Sequence, residues 1–227
     1  MSAPSTDPPP SRRSRLSPPV LTGLALLLLV AAGVGLLTLP GSSKDQLPAG
    51  VNTAPPGGGY EGTLALPAKQ APAIDLHNYL GERVTLSSYR GKVVLVTFLY
   101  AHCPDVCPLI ASNLRVALKM LGSRASEVQV IAVSVDPRGD TRAAVARFLL
   151  AHQMTGRMQY LLGSAAQLSK VWSAWGVGSQ RQAGNPERVA HSALVYGVSA
   201  RGRLTTVYPA EFEPGEIVHD VSKLATR

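Results

Sequence analysis

The feature that most constrains the fold of this chain is an apolar run followed closely by two cysteines. Residues 92–100 read KVVLVTFLY, a continuous apolar run typical of a strand that is buried on both faces of a sheet. Cys103 and Cys107 follow within the next seven residues, and Val106–Leu121 then has apolar residues at helical spacing before Gly122. The sequence therefore predicts a central strand, a short loop and a helix, with both cysteines at the junction.

The rest of the C-terminal part alternates predicted strands with predicted helices. The further elements are strands at 128–135 and Met158–Leu162, helices at 141–151, 164–175 and 215–224, and hairpins at 74–86 and 191–208. Such alternation indicates an α/β domain in which helices flank a central parallel or mixed sheet. Residues 180–190 show neither the helical spacing nor the strand alternation of apolar residues, so they are predicted to be a long loop.

The N-terminal part contains a candidate membrane anchor. Residues 20–39 carry no charge, and twenty residues of helix span about 30 Å of hydrocarbon. Arg12, Arg13 and Arg15 precede this run, which favours a cytoplasmic N-terminus and an exported domain. A cleaved signal peptide is the alternative, although its apolar region is typically about 7–15 residues long. We expect a disordered cytoplasmic tail at 1–19 and a single-pass anchor at 20–39 in the cell membrane, with the domain on the extracytoplasmic (periplasmic) side.

Composition distinguishes a tether from the folded domain, and the net charge limits the kinds of partner that the chain can bind. Residues 40–59 are rich in proline and glycine and are predicted to be a flexible tether to one domain at 60–227. The formal net charge is +8, but the excess is spread thinly and lacks the basic stripe with interleaved aromatic residues that nucleic acids require. An acidic protein partner or an anionic membrane surface fits this charge better than nucleic acid.

The two cysteines are the only ones in the chain, and their spacing indicates chemistry rather than stapling. A disulfide between Cys103 and Cys107 would close a loop so short that it restrains little of the unfolded chain. Unpaired N–H groups at a helix N-terminus stabilise thiolates, and Pro108 suits the first turn of a helix. Three intervening residues leave room for an ion between two sulfurs, and paired thiolates suit Cu(I).

A histidine is the natural third donor. The chain contains five histidines: His77, His102, His152, His191 and His219. His102 adjoins Cys103 but is expected to point away from it. His191 is predicted to begin a strand after the long loop, which could carry it over the cysteines. Met154 and Met158 are alternative thioether ligands, but we interpret them as core residues. Trp172 and Trp175 are likewise predicted to pack in the core.

Three segments together resemble the Sco/SenC family of copper proteins: LYAHCPDVCP at 99–108, SVDPRGDT at 134–141 and HSALVYGVSARGRL at 191–204. The resemblance covers roughly residues 60–225 and implies a thioredoxin-like fold. It also implies that Cys103, Cys107 and His191 bind one copper ion, as Cu(I) or Cu(II), and that Asp136 has a structural role or supports the ligands. The chain departs from the usual family pattern at four positions: Ala101, Ala190, Ser199 and Ala200.

The resemblance further implies a role in cytochrome c oxidase assembly. The chain would deliver copper to the dinuclear copper site of subunit II, or to another copper acceptor, and an external thiol reductant would keep its cysteines reduced. The alternative is a thiol-disulfide oxidoreductase that uses Cys103 and Cys107 as catalytic residues on that site or on another exported protein. A thiol peroxidase is a third interpretation, but the sequence does not identify the arginine-lined peroxide pocket that it needs.

Overall fold

The computed structural model describes residues 52–54, 59–182 and 185–226, all of which belong to the unit Leu47–Arg227. Its strands and helices in chain order are β1 (Asn52–Ala54), β2 (Thr63–Gln70), β3 (Asp75–Asn78), β4 (Arg83–Thr85), β5 (Val93–Leu99), α1 (Val106–Leu121), β6 (Val128–Ser134), α2 (Arg142–Ala151), β7 (Met158–Leu162), α3 (Ala165–Trp175), β8 (Ser179–Gln182), β9 (Asn185–His191), β10 (Leu194–Val198), β11 (Arg203–Pro209) and α4 (Pro214–Thr226). Short 3₁₀ helices occupy Leu86–Tyr89 and Gly122–Glu127.

Nine of the described strands form one mixed sheet in the order β1-β2-β11-β10-β5-β6-β7-β3-β4. The strands β5, β6 and β7 pair in parallel, whereas the other pairs are antiparallel. Every residue of β5 is buried, as its unbroken apolar sequence predicts. The predicted α/β fold with a mixed sheet and flanking helices is confirmed. The cysteine loop (residues 100–105) carries Cys103, and the first turn of α1 carries Cys107. Both lie at the carboxyl edge of the parallel strands, where α/β proteins commonly place their sites.

Local capping signals set the starts of two helices. The hydroxyl of Thr141 accepts a hydrogen bond from the N–H of Ala144 at 3.1 Å, so Thr141 caps α2 from just outside it. Ser164 and Gln167 form a reciprocal capping box at the start of α3. The predicted starts at 141 and 164 therefore differ from the observed helices by the cap residue alone.

The predicted loop at 180–190 is wrong. The described residues of this segment belong to β8 and β9, which pair antiparallel as a separate two-stranded sheet. His191 consequently ends β9 and does not begin the following strand, which starts at Leu194. The sequences SQRQ and NPERVAH contain few apolar residues, so the alternation that marks a half-buried strand is missing.

The sheet also extends further toward the N-terminus than the sequence indicates. The strand β1 falls inside the segment 40–59 that was predicted to be a tether, and it pairs with β2, which in turn pairs with β11. The predicted tail at 1–19 and the predicted anchor at 20–39 lie outside the described residues. Among the residues described, no helix combines the length and apolar character needed to cross a membrane.

The two methionines and two tryptophans predicted to be core residues pack as predicted. Met154 and Met158 are buried, and Trp175 is buried against the rings of Phe98 and Tyr196. The indole N–H of Trp172 donates to the carbonyl oxygen of Ser134 at 2.9 Å. These side chains fill and tie the core, which confirms their interpretation as core residues.

Candidate metal centre

The first turn of α1 brings the two cysteines together. The N–H of Cys103 donates to the carbonyl oxygen of Tyr100 at 3.2 Å, which folds the loop back after β5. The N–H of Cys107 in turn lies 3.5 Å from the sulfur of Cys103, so that sulfur accepts from the helix N-terminus. Both cysteines are free thiols; Cys103 is 8% exposed and Cys107 is fully buried. The accessible sulfur is therefore that of Cys103.

The environment of the two thiols separates their protonation. A hydrogen bond from Cys107 lowers the pKa of Cys103, with further contributions from His191 and from the N–H groups of Asp105 and Cys107, while burial opposes the shift. Burial raises the pKa of Cys107, and the hydrogen bond to Cys103 and the charge there raise it further. The surroundings therefore favour ionisation of Cys103 over ionisation of Cys107.

His191 reaches the cysteines from the end of β9. Its Nε2 atom lies 3.7 Å from the sulfur of Cys107, and it also interacts with Cys103. The Nδ1 atom lies 3.2 Å from the carbonyl oxygen of Ser192, and a carbonyl only accepts, so we assign the ring proton to Nδ1. Nε2 is therefore the ring nitrogen that faces the sulfurs and is the atom available to a metal ion.

The donor atoms suit a soft metal ion but do not form a closed site. Sulfur and nitrogen ligands at about 2.3 and about 2.05 Å from one ion lie roughly 3.5–3.8 Å apart, which includes the 3.7 Å between Cys107 and His191. In the part of the chain that the structure describes, however, no three His, Cys, Asp or Glu side chains stand in a ready metal-binding arrangement. Cys107 interacts with Cys103 through its thiol proton, so metal binding by both sulfurs requires loss of that proton.

A shallow cavity of about 130 Å³ gives access to this cluster. Cys103 and His191 line it together with Tyr100, Val189 and Ala190. Burial, followed by the charge on Cys103, raises the pKa of Tyr100 to about 12. The other four histidines do not line this cavity: His77, His102, His152 and His219. The structure thus selects His191 from the five as the neighbour of the sulfurs.

The predicted residue Asp136 lies in the turn after β6. It is buried, and its carboxylate accepts from the N–H of Arg138 at 3.2 Å. A Cβ atom at Gly139 would lie only 2.3 Å from its Oδ2 atom and 3.5 Å from Nδ1 of His102. Glycine at 139 therefore lets the turn fold tightly around the Asp136 carboxylate.

Sequence reasoning missed Asp140, four residues further along the same motif. Its carboxylate accepts three hydrogen bonds: from the N–H of Ala101 at 2.7 Å, from the hydroxyl of Ser134 at 2.6 Å and from the hydroxyl of Tyr160 at 3.0 Å. These partners belong to β6, β7 and the start of the cysteine loop. One buried carboxylate therefore ties the loop to the two neighbouring strands. The motif SVDPRGDT was the available signal, but it does not show which aspartate makes these bonds.

Replacing Asp140 with asparagine is expected to change how stability depends on pH. Burial raises the pKa of Asp140 from 3.8 to about 6, so the folded state holds the proton more tightly than the unfolded state. The resulting stability is present below pH 4 and is lost as pH rises through 6. The Asp140→Asn variant lacks this loss, so its unfolding free energy relative to wild type should rise by about 2–3 kcal/mol between pH 4 and pH 7.

Urea unfolding of both full-length proteins at several pH values measures this difference. Asp75→Asn is the control, because Arg83 holds the pKa of the exposed Asp75 below its ordinary value. The unfolding free energy of this variant relative to wild type should therefore fall, not rise, as the pH increases. A difference between Asp140→Asn and wild type that is constant with pH would contradict the assignment.

Comparison with known proteins agrees with this geometry. The sequence model of the SCO1/SenC family matches residues 65–226. The mitochondrial SCO2 homolog of Bos taurus is 30% identical over 142 residues, which cover 60% of this chain and 53% of the relative. SenC of Rhodobacter capsulatus is 28% identical over 162 residues, covering 70% of this chain and 72% of SenC. The chain thus spans about half the length of the mitochondrial relatives that it matches.

Two solved structures have the same fold. ScoI of Bradyrhizobium japonicum with copper bound is 29% identical, with a TM-score of 0.61 over 68% of this chain and 99% of that one. Apo Sco1 of Thermus thermophilus is 32% identical, with a TM-score of 0.62 over 73% of this chain and 96% of that one. The mixed sheet and its flanking helices therefore match the thioredoxin-like fold of Sco proteins, and the chain belongs to the SCO1/SenC family.

Proposed function

We propose that this chain is a membrane-anchored copper metallochaperone that delivers copper to the dinuclear site of cytochrome c oxidase subunit II. Cys103, Cys107 and His191 would hold one copper ion as the cargo. The observation that carries the proposal is the 3.7 Å approach of His191 Nε2 to Cys107 Sγ, with the Cys103 sulfur accepting from the Cys107 N–H at 3.5 Å beside them. The Bradyrhizobium ScoI structure has copper bound, which supports the same cargo.

The three side chains have distinct parts in binding and release. Cys103 would meet the ion first, because it lines the cavity and ionises more readily, whereas Cys107 is buried behind it. Loss of the Cys107 proton to solvent adds a second soft donor, and His191 supplies an imidazole that suits either copper state. A docked acceptor then replaces these donors one at a time, so the ion is never free in solution.

The proposal includes the membrane and a reductant. Residues 20–39 would anchor the chain once across the cell membrane, with residues 1–19 in the cytoplasm and the domain outside it. The acceptor would then be a protein of the same membrane, which the domain searches for on its tether. An oxidising compartment joins free cysteines, so an external thiol reductant must return two electrons and two protons to any Cys103–Cys107 disulfide before copper binds.

Copper titration and transfer test the proposal directly. The reduced full-length chain in detergent should bind one equivalent of Cu(I) and pass it to a copper-free fragment of subunit II that contains the dinuclear site. Measuring copper in both proteins after separation checks this. The control is the same chain with Cys103 and Cys107 oxidised to a disulfide, which should bind no stoichiometric copper. A reduced chain that binds no copper, or keeps it beside a competent acceptor, would refute the proposal.

The lowered pKa of Cys103 supports a second candidate function, thiol-disulfide exchange. The Cys103 thiolate would attack a disulfide in the acceptor, forming a mixed disulfide and releasing one acceptor thiolate. Cys107 would lose its proton and attack the Cys103 sulfur, which leaves the acceptor reduced and this chain oxidised. The external reductant would then restore both thiols. This chemistry has no step that requires His191, which makes the two functions separable.

A further inference from the structure

We infer that Tyr100 is a positioning residue that holds the β8–β9 hairpin against the cysteine loop and so keeps His191 over the sulfurs. The inference rests on the proposed function, because it concerns the copper ligands named there. Tyr100 itself is not one of the proposed copper ligands.

The hairpin that carries His191 needs contacts beyond its own two strands. The strands β8 and β9 form a separate sheet, and a two-stranded hairpin alone is marginally stable in water. One contact with the rest of the domain is the hydrogen bond from the Ser179 hydroxyl to the carbonyl oxygen of Val135 at 3.1 Å, at the start of β8. A second is the side chain of Val189, which is buried two residues before His191.

Tyr100 supplies a contact at the end of the hairpin where His191 lies. Its hydroxyl faces the N–H of Val189, which lowers the pKa of Tyr100, and the Cys103 side chain, which raises it. All three residues line the same cavity. Its ring meets the His191 imidazole edge to face, with centroids 5.7 Å apart and planes at 86°. The side chain therefore contacts both the hairpin and the cysteine loop.

The backbone of Tyr100 contacts the cysteines as well. Its carbonyl oxygen accepts from the N–H of Cys103 at 3.2 Å, and its own N–H points to the sulfur of Cys107. Tyr100 follows β5 directly, so it is fixed to the most deeply buried strand of the sheet. One residue on a rigid element thus contacts all three proposed ligands, which is the arrangement that preorganises a site.

Tyr100→Phe tests the inference because it removes the hydroxyl and keeps the ring. In the reduced, copper-free full-length chain, hydrogen exchange at the Val189 amide should become about tenfold faster, since that N–H loses its acceptor. In competition with a chromophoric Cu(I) chelator, the variant should bind copper about tenfold more weakly than wild type, as replacements beside metal ligands commonly do. The matched control is Tyr196→Phe, which removes a buried hydroxyl bonded to the Trp175 carbonyl oxygen at 3.4 Å; it should change neither measurement.

The outcomes separate this inference from the proposed function. Unchanged Val189 exchange in Tyr100→Phe would overturn the link between Tyr100 and the hairpin. Faster exchange with unchanged copper affinity would overturn its role in positioning His191. If the wild-type chain binds no copper, the proposed function fails, and Val189 exchange alone then decides whether Tyr100 holds the hairpin.

Discussion

Replacing Cys107 with serine is expected to abolish stoichiometric copper binding. Serine keeps the size of the side chain and can still bond to His191, so the first turn of α1 should fold normally. Its hydroxyl does not ionise near neutral pH and is a poor donor for a soft ion. The loss should therefore exceed the roughly 10–100-fold that replacements around metal ligands cost. Cu(I) titration against a competing chelator measures it.

The buried thioether of Met154 provides the control for this experiment. Met154 is fully buried in the core, so Met154→Leu removes a thioether while keeping an apolar side chain of similar size. That variant should bind copper like wild type. Cys103→Ser should behave like Cys107→Ser. If Cys107→Ser retained one equivalent of copper within about threefold of the wild-type affinity, the buried sulfur would not be a ligand.

The elements around the cysteines could be predicted because their signals are local. The apolar run of β5 is too continuous for a half-exposed strand, and the helical spacing of α1 begins at the cysteines and ends at Gly122. Thr141 and Ser164 mark helix starts through bonds to residues three positions away. Each of these features depends on neighbours in sequence, so pattern and side-chain chemistry were sufficient.

The strands that were missed depend on partners far away in sequence. Pro67 falls within β2, and a proline inside an apolar run argues against a strand when its neighbours are unknown. The strand β1 has only three residues and is defined by its pairing with β2. The polar strand β9 is likewise recognised by its pairing with β8, and this pairing determines where His191 lies.

The site was therefore only partly accessible to sequence reasoning. The spacing of Cys103 and Cys107 placed both at one helix start. His191 was favoured first by a predicted loop whose described residues are in fact strands, and then by the family resemblance. Asp140 remained hidden because its three partners, Ala101, Ser134 and Tyr160, come together only after three strands have packed.

Replacing His191 with alanine is expected to separate the two candidate functions. Copper binding should weaken by about 100-fold or more, because the imidazole is one of three ligands and the remaining thiols leave the ion under-coordinated. Disulfide reduction should stay within about threefold of wild type, since the cysteines perform that chemistry without a base. Removing His191 takes away one of the smaller contributions that lower the pKa of Cys103, whereas the largest one, from Cys107, remains.

The decisive comparison uses one preparation for both assays. Copper affinity by chelator competition and reduction of a model disulfide are measured on wild type, His191→Ala and the control His152→Ala. His152 directly follows α2, and its ring centroid lies 4.5 Å from that of Phe148. Its replacement removes an imidazole that is away from the cavity and should leave both activities unchanged. Copper affinity that survives in His191→Ala would remove the imidazole from the metal centre. If disulfide reduction also survived, the two cysteines alone would carry the function, as an oxidoreductase requires and a three-ligand copper carrier does not.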